Sequence, residues 1–482
     1  MLIFLNVPIQ GRDLPGGVLI NMAKLLTLEE GLALNRRDMR ELYRNHINPA
    51  FISLLSMLDS DKHFVKAKGP LVWDNYGNEY VDFLSGYGSL NLGHNHPAVL
   101  EAVETVKENP FLIQASVSKL TAVMGYNLAQ LAPGDLKNCF FCNSGDEAIE
   151  GALKLARAST GKKKFVYCEG AFHGRTFGAL SVSGMKKYRK PFQPLLSDCI
   201  EIPYGDLAAL EKAIKSKKVA AFIVEPIQCE AGIIMPARGF LQEASSLCSR
   251  YGTLLIADEV QTGLGRCGEM FACNIEKSVP DVICLSNFLG GGLIPSGAFI
   301  TTEKIWNKAF GGIDDCLLHN STFGGNSWAM AAGIATLNEI VKLDLPRMAR
   351  EKGNYLMERL KKVSDNNKLI KDIRGIGLLV GVEFAPVTRG MLNAFSLGII
   401  NKLGNEFFTS IITGELLLRH HIITANTLHN PNVIRLEPPL IITEKQIDRL
   451  VSAMEETVNK NISGILVNSS KTLLSSILNR RR

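Results

Sequence analysis

The sequence predicts an α/β protein with a mostly parallel central sheet that is buried on both faces. Three observations predict it: short apolar runs recur through the middle of the chain, amphipathic helical stretches separate them, and several runs end in acidic or glycine-rich turns. Continuous apolar strands between helices are typical of a parallel sheet that helices cover on both sides. The predicted strands are KFVYC (164–168), AAFIVEP (220–226), TLLIADEV (253–260), DVICL (281–285) and SGAFITT (296–302).

Helix signals lie between these runs. The stretch FLQEASSLCSRYG ends in Gly252, a residue typical of a helix C-cap. In FFCNSGDEAIEGALKLARA (140–158), a strand and a Ser-Gly turn precede a helix, because Ile149, Ala152, Leu153 and Ala156 repeat at helical spacing.

The flanks predict a second, smaller α+β domain assembled from both chain ends. PLVWDNYGNEYVDFLSG (70–86) predicts a hairpin, IRGIGLLVGVEFA (373–385) predicts a strand, and VIRLEPPLIIT precedes a final amphipathic helix. The predicted order is an N-terminal extension (1–34), the first part of the small domain (35–110), the large domain (111–345), the rest of the small domain (346–465) and a basic tail (466–482).

The composition excludes several classes of protein. The 482 residues are 46% hydrophobic and 21% charged, as in globular proteins. The net charge of +6 is spread over 53 basic and 47 acidic residues, so nucleic acid is not an expected partner. We expect no membrane span, since no apolar run reaches about 18 residues, and no signal peptide, since the N-terminal stretch lacks a basic n-region.

The ten cysteines lie between Cys139 and Cys316, and several fall within strand-like apolar runs. Cys139 and Cys142 have the spacing of a metal-ligand pair, but no second pair or nearby histidine completes a site. We therefore expect buried thiols in a reducing cytoplasm and no bound metal.

The Ser144-Gly145 turn is a candidate anion site, because the N–H groups at a helix start attract phosphate. Asp146 opposes that interpretation, since its carboxylate in the first helical turn could occupy the same place. Alternatively, Asp146 is the N-cap of the helix.

Acidic residues follow the strand TLLIADEV. Asp258 and Glu259 lie at its buried end, where a carboxylate needs a cation or a protonated ring nitrogen as partner. Helix capping and metal ligation are alternatives, but the length of the motif DEVQTGLGR favours a cofactor role.

Three other motifs contain side chains suited to a planar, anionic ligand. Phe172 and His173 follow a strand between two glycines, a setting that suits stacking on a ring, with core packing as the ordinary alternative. Thr322 adds a hydroxyl in the loop STFGGN, and Arg435 in RLEPPL could clamp a carboxylate through two hydrogen bonds.

These motifs, in this order, resemble those of the class III (ornithine-type) aminotransferases, which are pyridoxal-phosphate (PLP) enzymes of fold type I. The resemblance is strongest to the putrescine aminotransferase branch and extends from about residue 35 to residue 460. It implies a homodimer with shared active sites, a cytoplasmic location, and an amine or amino acid and a 2-oxo acid as substrates. The matching stretches are NRRDMRELYRNHINPAF, FFCNSG, GAFHG, RKPFQPLL, VEPIQ, DEVQTGLGR, FGGN and IRLEPPL.

The resemblance also assigns residues to the cofactor. It implies that Asp258 pairs with the pyridinium nitrogen, so that the ring stays protonated and acts as an electron sink, and that Gln261 contacts the ring hydroxyl. Phe172 and Val260 would pack on opposite faces of the ring, beside His173. The residues implied for the phosphate are Ser144, Gly145, Asp146 and, from the other subunit, Thr322.

For the substrate, the resemblance implies that Arg435 binds a carboxylate and that Glu230 masks this arginine when the substrate lacks one. Tyr87 is a further candidate substrate-binding residue.

Asn287 stands where the resemblance predicts the Schiff-base lysine of the family. The family sequence at this strand end is Lys-Ala-Leu-Gly-Gly-Gly, whereas this chain has Asn-Phe-Leu-Gly-Gly-Gly at 287–292. The lysine holds the cofactor and shuttles a proton, but an asparagine amide is neither a nucleophile nor a base. Since general acid–base catalysis is commonly worth about 10²–10⁴-fold, we expect transamination to be severely impaired.

Other residues of the same pocket also depart from the family pattern. Asp146 replaces a small hydroxyl residue, Cys229 replaces a glycine, and Ser327-Trp328 replaces a proline and a smaller apolar residue. Three hypotheses remain: an impaired family member that still binds PLP or pyridoxamine phosphate noncovalently, an active diamine or ornithine transaminase present as a lysine-substituted variant, or a non-catalytic dimer partner of an active paralogue.

Overall fold

The computed structural model describes residues 25–57, 61–112, 116–385 and 406–460. The chain divides into two units, residues 1–57 and 58–482. Residues 25–57 of the first unit form three helices, α1 (Leu28–Leu32), α2 (Arg36–His46) and α3 (Pro49–Met57). A capping box of Thr27 and Glu30 begins α1, and Asn35 caps α2.

The described residues of the second unit form fifteen strands and the remaining described helices. Its strands are β1 (Phe64–Lys68), β2 (Leu71–Asp74), β3 (Glu79–Asp82), β4 (Leu136–Cys142), β5 (Lys164–Cys168), β6 (Cys199–Ile202), β7 (Val219–Val224), β8 (Leu254–Asp258), β9 (Val282–Leu285), β10 (Gly297–Thr302), β11 (Ile370–Ile376), β12 (Leu379–Phe384), β13 (Ile422–Ile423), β14 (Ala425–Asn426) and β15 (Val433–Leu436). Its helices are α4 (Ser85–Gly88), α5 (Pro97–Thr105), α6 (Lys119–Leu131), α7 (Gly145–Thr160), α8 (Phe177–Ser181), α9 (Lys186–Arg189), α10 (Leu207–Ile214), α11 (Phe240–Tyr251), α12 (Glu303–Phe310), α13 (Ser327–Lys342), α14 (Leu345–Asp365), α15 (Glu406–Arg419) and α16 (Glu444–Asn459).

Seven strands form the central sheet, in the order β4-β10-β9-β8-β7-β5-β6. The five strands from β9 to β6 are parallel to one another, whereas β10 runs antiparallel to both of its neighbours. The five predicted strand runs are therefore confirmed as members of one mostly parallel sheet. Because the carboxyl ends of parallel strands lie at one edge, the segments that follow β5, β7, β8 and β9 come together there.

Both faces of this sheet are buried, as the apolar runs predict. Phe165 and Tyr167 of β5 pack into the cluster that contains the buried face of α7, whereas Val166 and Cys168 pack with α10 and α11. Helix α11 ends at Gly252, which has a φ of 63° in the left-handed region that glycine favours. None of the described helices is both long and apolar enough to cross a membrane.

Two smaller sheets use the flanking sequence. The sheet β1-β2-β3-β13 joins strands from both chain ends, and β11-β12-β15-β14 lies within the C-terminal part. The predicted hairpin is confirmed, because β2 and β3 are antiparallel. The prediction of one strand over 373–385 is wrong: β11 and β12 form a hairpin, since Gly377 turns the backbone at a φ of 57°. The proposed domain boundaries remain a prediction.

Two helical glycines provide a test of how α14 packs. A Cβ at Gly353 of α14 would overlap the carbonyl oxygen of Gly377, whereas a Cβ at Gly414 of α15 meets nothing within 4 Å. We expect Gly353→Ala to destabilise the protein by about 1–3 kcal/mol through overpacking. Gly414→Ala should stabilise it by about 0.5–1 kcal/mol through helix propensity. Thermal unfolding of both variants beside the wild type measures this difference, and equal effects would contradict the packing of α14 against the β11–β12 turn.

Candidate active site

Asp258 is the last residue of β8 and is buried, and each of its carboxylate oxygens has a hydrogen-bond partner in the chain. Its Oδ2 lies 2.7 Å from Nδ1 of His173, and its Oδ1 accepts a hydrogen bond of 3.1 Å from the backbone N–H of Val260. The side chain of His173 is 0% exposed. The partner of this buried carboxylate in the structure is therefore an imidazole that follows β5, the strand beyond β7 in the sheet.

Glu259 does not share this site. Its carboxylate accepts hydrogen bonds from the Thr262 hydroxyl at 2.6 Å and from the backbone N–H groups of Ala272 and Cys273 at 2.9 and 2.8 Å. These two N–H groups begin the 3₁₀ helix Ala272–Glu276. For Glu259, the expectation of a cationic partner is wrong, and the capping alternative is correct, because backbone donors supply the hydrogen bonds.

A cavity lies beside Asp258 at the carboxyl edge of the central sheet. Seven residues proposed from the sequence line it together: Gly145, Asp146, Phe172, His173, Asp258, Val260 and Gln261. The other lining residues are Gly174, Glu225, Cys229 and Thr262. Within the described chain, Nε2 of His173 is buried and has no hydrogen-bond partner.

Gly145 leaves little space for a side chain beside Val260. A Cβ at Gly145 would lie 3.1 and 3.2 Å from the two γ-carbons of Val260, so a larger residue would press on this side chain. Val260 is itself positioned by its N–H, which binds Asp258. The start of α7 and the end of β8 therefore approach closely, and they shape one end of the cavity.

Glu225 is a site residue that the sequence analysis did not single out. It follows β7 in the motif VEPIQ, and it accepts hydrogen bonds from the backbone N–H groups of Phe172 at 2.8 Å and Cys229 at 3.3 Å. Complete burial, together with the nearby charge of Asp258, raises the pKa of Glu225 well above its ordinary value. An acidic residue after a buried strand was the available signal, as it was for Asp258.

Asp146 anchors the loop that follows the Phe172-His173 pair. Its Oδ2 accepts hydrogen bonds from the backbone N–H groups of Arg175 at 2.8 Å and Thr176 at 3.2 Å. The helix N-cap is instead Ser144, whose hydroxyl accepts a hydrogen bond from the N–H of Glu147. The N-cap interpretation of Asp146 is therefore wrong, because its side chain reaches a different segment.

Arg435 of β15 is fully buried among oxygen acceptors. Its guanidinium contacts Oε1 of Glu230 and Oε1 of Gln261, and it donates a hydrogen bond of 2.7 Å to Oε1 of Glu437. Although burial alone would lower the pKa of Arg435, the carboxylates of Glu437 and Glu230 raise it above its ordinary value. Glu437 was not singled out from the sequence, although it lies within the motif RLEPPL.

Asn287 begins the 3₁₀ helix Asn287–Gly290 at the end of β9. Its backbone has a φ of 46°, a left-handed conformation that asparagine tolerates better than most residues. The side-chain amide donates a hydrogen bond of 3.1 Å to the carbonyl oxygen of Tyr87. The ring of Tyr87 lies 5.1 Å from the guanidinium of Arg435, so Asn287 is linked through Tyr87 to the residues around Arg435, whereas it is not among the residues that line the cavity beside Asp258.

Three other positions that the sequence analysis named are Thr322, Cys229 and Ser327. Thr322 is not among the residues that line the cavity of this chain, and its neighbour Ser321 accepts a hydrogen bond of 3.0 Å from Asn143. Cys229 is fully buried, which raises its pKa well above the ordinary thiol value. Ser327 donates a hydrogen bond of 2.7 Å to the carbonyl oxygen of Pro110.

Comparison with known proteins identifies the family. The model of aminotransferase class III matches residues 59–458. The chain belongs to this family. An ornithine aminotransferase from Toxoplasma gondii is 30% identical, with coverage of 92% of this chain and 98% of that chain and a TM-score of 0.78. The match confirms the predicted fold type I.

Two further solved structures are similar to this aminotransferase-family chain. An acetylornithine aminotransferase from Elizabethkingia anophelis is 30% identical, covering 86% of this chain and 99% of that chain, with a TM-score of 0.68. An amine transaminase from an uncultivated Pseudomonas species is 25% identical, covering 83% and 95%, with a TM-score of 0.74. In each comparison the similarity therefore extends over most of this chain and most of the related chain.

The raised pKa of Glu225 predicts a pH dependence of stability. Because the folded state holds this proton more tightly than the unfolded state, the contribution of Glu225 to stability is lost as the pH rises above the ordinary glutamate value of 4.5. The slope is at most about 1.4 kcal/mol per pH unit. Glu225→Gln removes the titration, so the stability of the variant relative to the wild type should increase between pH 5 and pH 8.

Thermal unfolding across this pH range measures the difference, with the exposed Glu351→Gln as the control. Parallel pH profiles for the wild type and Glu225→Gln would contradict the assignment of a raised pKa. Any constant difference in stability between such parallel profiles would report only the altered hydrogen bonds to Phe172 and Cys229.

Proposed function

We propose that the chain is a putrescine- or ornithine-type aminotransferase by ancestry that binds PLP or pyridoxamine phosphate noncovalently and is impaired in transamination. The observation that carries this proposal is the amide of Asn287, which lies at the end of β9 and donates to the Tyr87 carbonyl oxygen. No amine is available at this residue, so it cannot hold the cofactor covalently.

The residues around Asp258 fit the pyridine ring of the cofactor. The buried Asp258 carboxylate would hold a proton at the ring nitrogen, while His173 fixes its orientation from the other side. Phe172 and Val260 supply apolar surface for the ring, and Gln261 supplies an amide for its hydroxyl. When bound, PLP supplies an electron sink for charge that develops at the substrate carbon. An ornithine aminotransferase structure from Toxoplasma gondii, 29% identical, has partial occupancy of PLP at its active site.

Proton transfer is the step that this chain performs poorly. An asparagine side chain neither accepts nor releases a proton near neutral pH, and here its amide is committed to Tyr87. General acid–base catalysis is commonly worth about 10²–10⁴-fold, so we expect at least this loss relative to a lysine at the same position.

We also propose a homodimer with shared sites and a cytoplasmic location. A groove lined by residues of 109–126, 137–141 and 324–327 carries the exposed side chains of Val117 and Tyr126, and large exposed apolar patches mark interfaces. Thr322 precedes Gly324, a residue of this groove, by two positions in the sequence. This supports the proposal that Thr322 contributes to the site of a second subunit. The ten free thiols, most of them buried, support a reducing compartment.

The residues around Arg435, which the resemblance assigns to the substrate, form the substrate end of the site. They favour a ligand without a carboxylate. Arg435 is neutralised by both Glu230 and Glu437, and the Glu437 side chain is only 1% exposed. If Glu230 moves away, Glu437 still accepts a hydrogen bond from the guanidinium. A diamine such as putrescine is therefore the better supported amine donor.

Borohydride reduction tests the noncovalent proposal. We expect wild-type protein incubated with PLP to give no phosphopyridoxyl adduct in the cavity by mass spectrometry, whereas Asn287→Lys gives one at residue 287. Lysine at this position should lower the free energy of unfolding by about 1 kcal/mol, because a positive φ is sterically less favourable for lysine than for asparagine. Asn287→Met, similar in length but without an amine, is the matched control.

An adduct within the wild-type cavity would overturn the proposal. Strong turnover of putrescine or ornithine by Asn287→Lys, with none by the wild type, supports the interpretation as a lysine-substituted transaminase. Co-purification with a lysine-containing paralogue, with activity only in the mixed dimer, would instead support a non-catalytic partner.

Ligand binding tests the interpretation of Arg435. We expect wild-type protein to bind putrescine and to bind glutarate weakly when both are titrated calorimetrically. Glu437→Gln keeps a hydrogen-bond acceptor but removes the charge, so the affinity for glutarate should rise about tenfold. The affinity for putrescine should not rise. Tight glutarate binding by the wild type, unchanged in the variant, would contradict the interpretation.

A further inference from the structure

We propose that the cavity beside Asp258 prefers the non-phosphorylated, hydroxymethyl forms of the pyridoxal-type ring over their 5′-phosphates, because Asp146 presents a carboxylate at the start of α7. This inference rests on the proposed function, in which the cavity takes the ring. It concerns the other end of the same ligand, where a helix start would otherwise favour a phosphate.

The carboxylate of Asp146 is held in place. Its two backbone hydrogen bonds come from the N–H groups of Arg175 and Thr176. Its other oxygen, Oδ1, lies against Gly174, where any Cβ would meet it. A side chain held by two hydrogen bonds at Oδ2 cannot swing away from an incoming anion without breaking them.

A second carboxylate of α7 reinforces this arrangement one turn further along. Glu150 accepts hydrogen bonds from the Thr176 hydroxyl at 2.6 Å and from the backbone N–H of Gly178 at 2.8 Å. Together, Asp146 and Glu150 bind the segment that leads from His173 into α8. The donors that this segment offers to anions are therefore already used by protein carboxylates.

The charge of the cavity opposes a phosphate. Two of its lining residues, Asp146 and Asp258, supply carboxylates, and among the described residues that line it there is no lysine or arginine. A third acidic residue, Glu225, is not counted as a charge, because burial raises its pKa well above the ordinary value. The guanidinium of Arg175 is outside the lining and lies 4.0 Å from the ring centroid of Tyr188 and 5.4 Å from that of Phe172. A phosphate monoester carries about −1.5 to −2 charges at neutral pH, so the carboxylates weaken its binding here. A hydroxymethyl group can instead donate a hydrogen bond to the carboxylate.

Calorimetric titration with pyridoxamine and pyridoxamine 5′-phosphate tests the inference, since neither compound forms imines with surface lysines. We expect the wild-type protein to bind pyridoxamine about tenfold more tightly than its phosphate, and this ratio should shrink at high salt. Asp146→Asn keeps the shape of the side chain and removes its charge, so the ratio should fall at least about tenfold. Glu150→Gln removes a charge from the same helix, and here the ratio should not change.

The outcomes separate this inference from the proposed function. If the wild type binds both compounds and the phosphate equally well or better, the inference is overturned and ring binding stands. If neither compound binds to the wild type or to Asp146→Asn, ring binding fails, and the inference fails with it. Should Asp146→Asn not fold, Asp146→Ser and the wild-type ratio alone still decide the question.

Discussion

The buried contact between Asp258 and His173 is the interaction on which the site depends. A carboxylate at the end of a central strand is costly unless it is hydrogen-bonded, and here an imidazole and a backbone N–H satisfy it. The contact fixes the segment after β5 to the end of β8. Phe172, Glu225 and Val260 are positioned around it, because their backbone groups or side chains bind to these same segments.

A second buried network joins distant parts of the chain. Arg266 donates hydrogen bonds to the carbonyl oxygens of Leu378 and Pro438 and contacts Asn91, so three segments far apart in sequence meet at one guanidinium. Arg435 and Glu437 lie beside it. Breaking a buried ion pair is strongly destabilising, because it leaves an uncompensated charge. The substrate end is consequently part of the scaffold, and its charge balance is set by folding.

The sequence predicts the layers of the fold and most of the site, but not its contacts. Apolar periodicity and strand-end motifs place Asp258, Phe172 and Val260 at one sheet edge, since parallel strands share that edge. Periodicity says nothing about where a polar side chain points, so the sequence left Asp146 between a place in the anion site and a helix cap, whereas its carboxylate binds the 175–176 backbone. Glu225 and Glu437 lie inside quoted motifs, yet their partners come from sequence-distant segments.

The left-handed backbone at Asn287 has an evolutionary consequence. Asparagine and lysine codons differ at the third base alone, so a single mutation could return the amine to this strand end. At a φ of 46°, however, asparagine is the more comfortable residue by about 1 kcal/mol, and its amide satisfies the Tyr87 carbonyl. Under the proposed function, which needs no lysine at this position, the fold itself favours asparagine. A change to lysine would be easy in the gene and disfavoured in the protein.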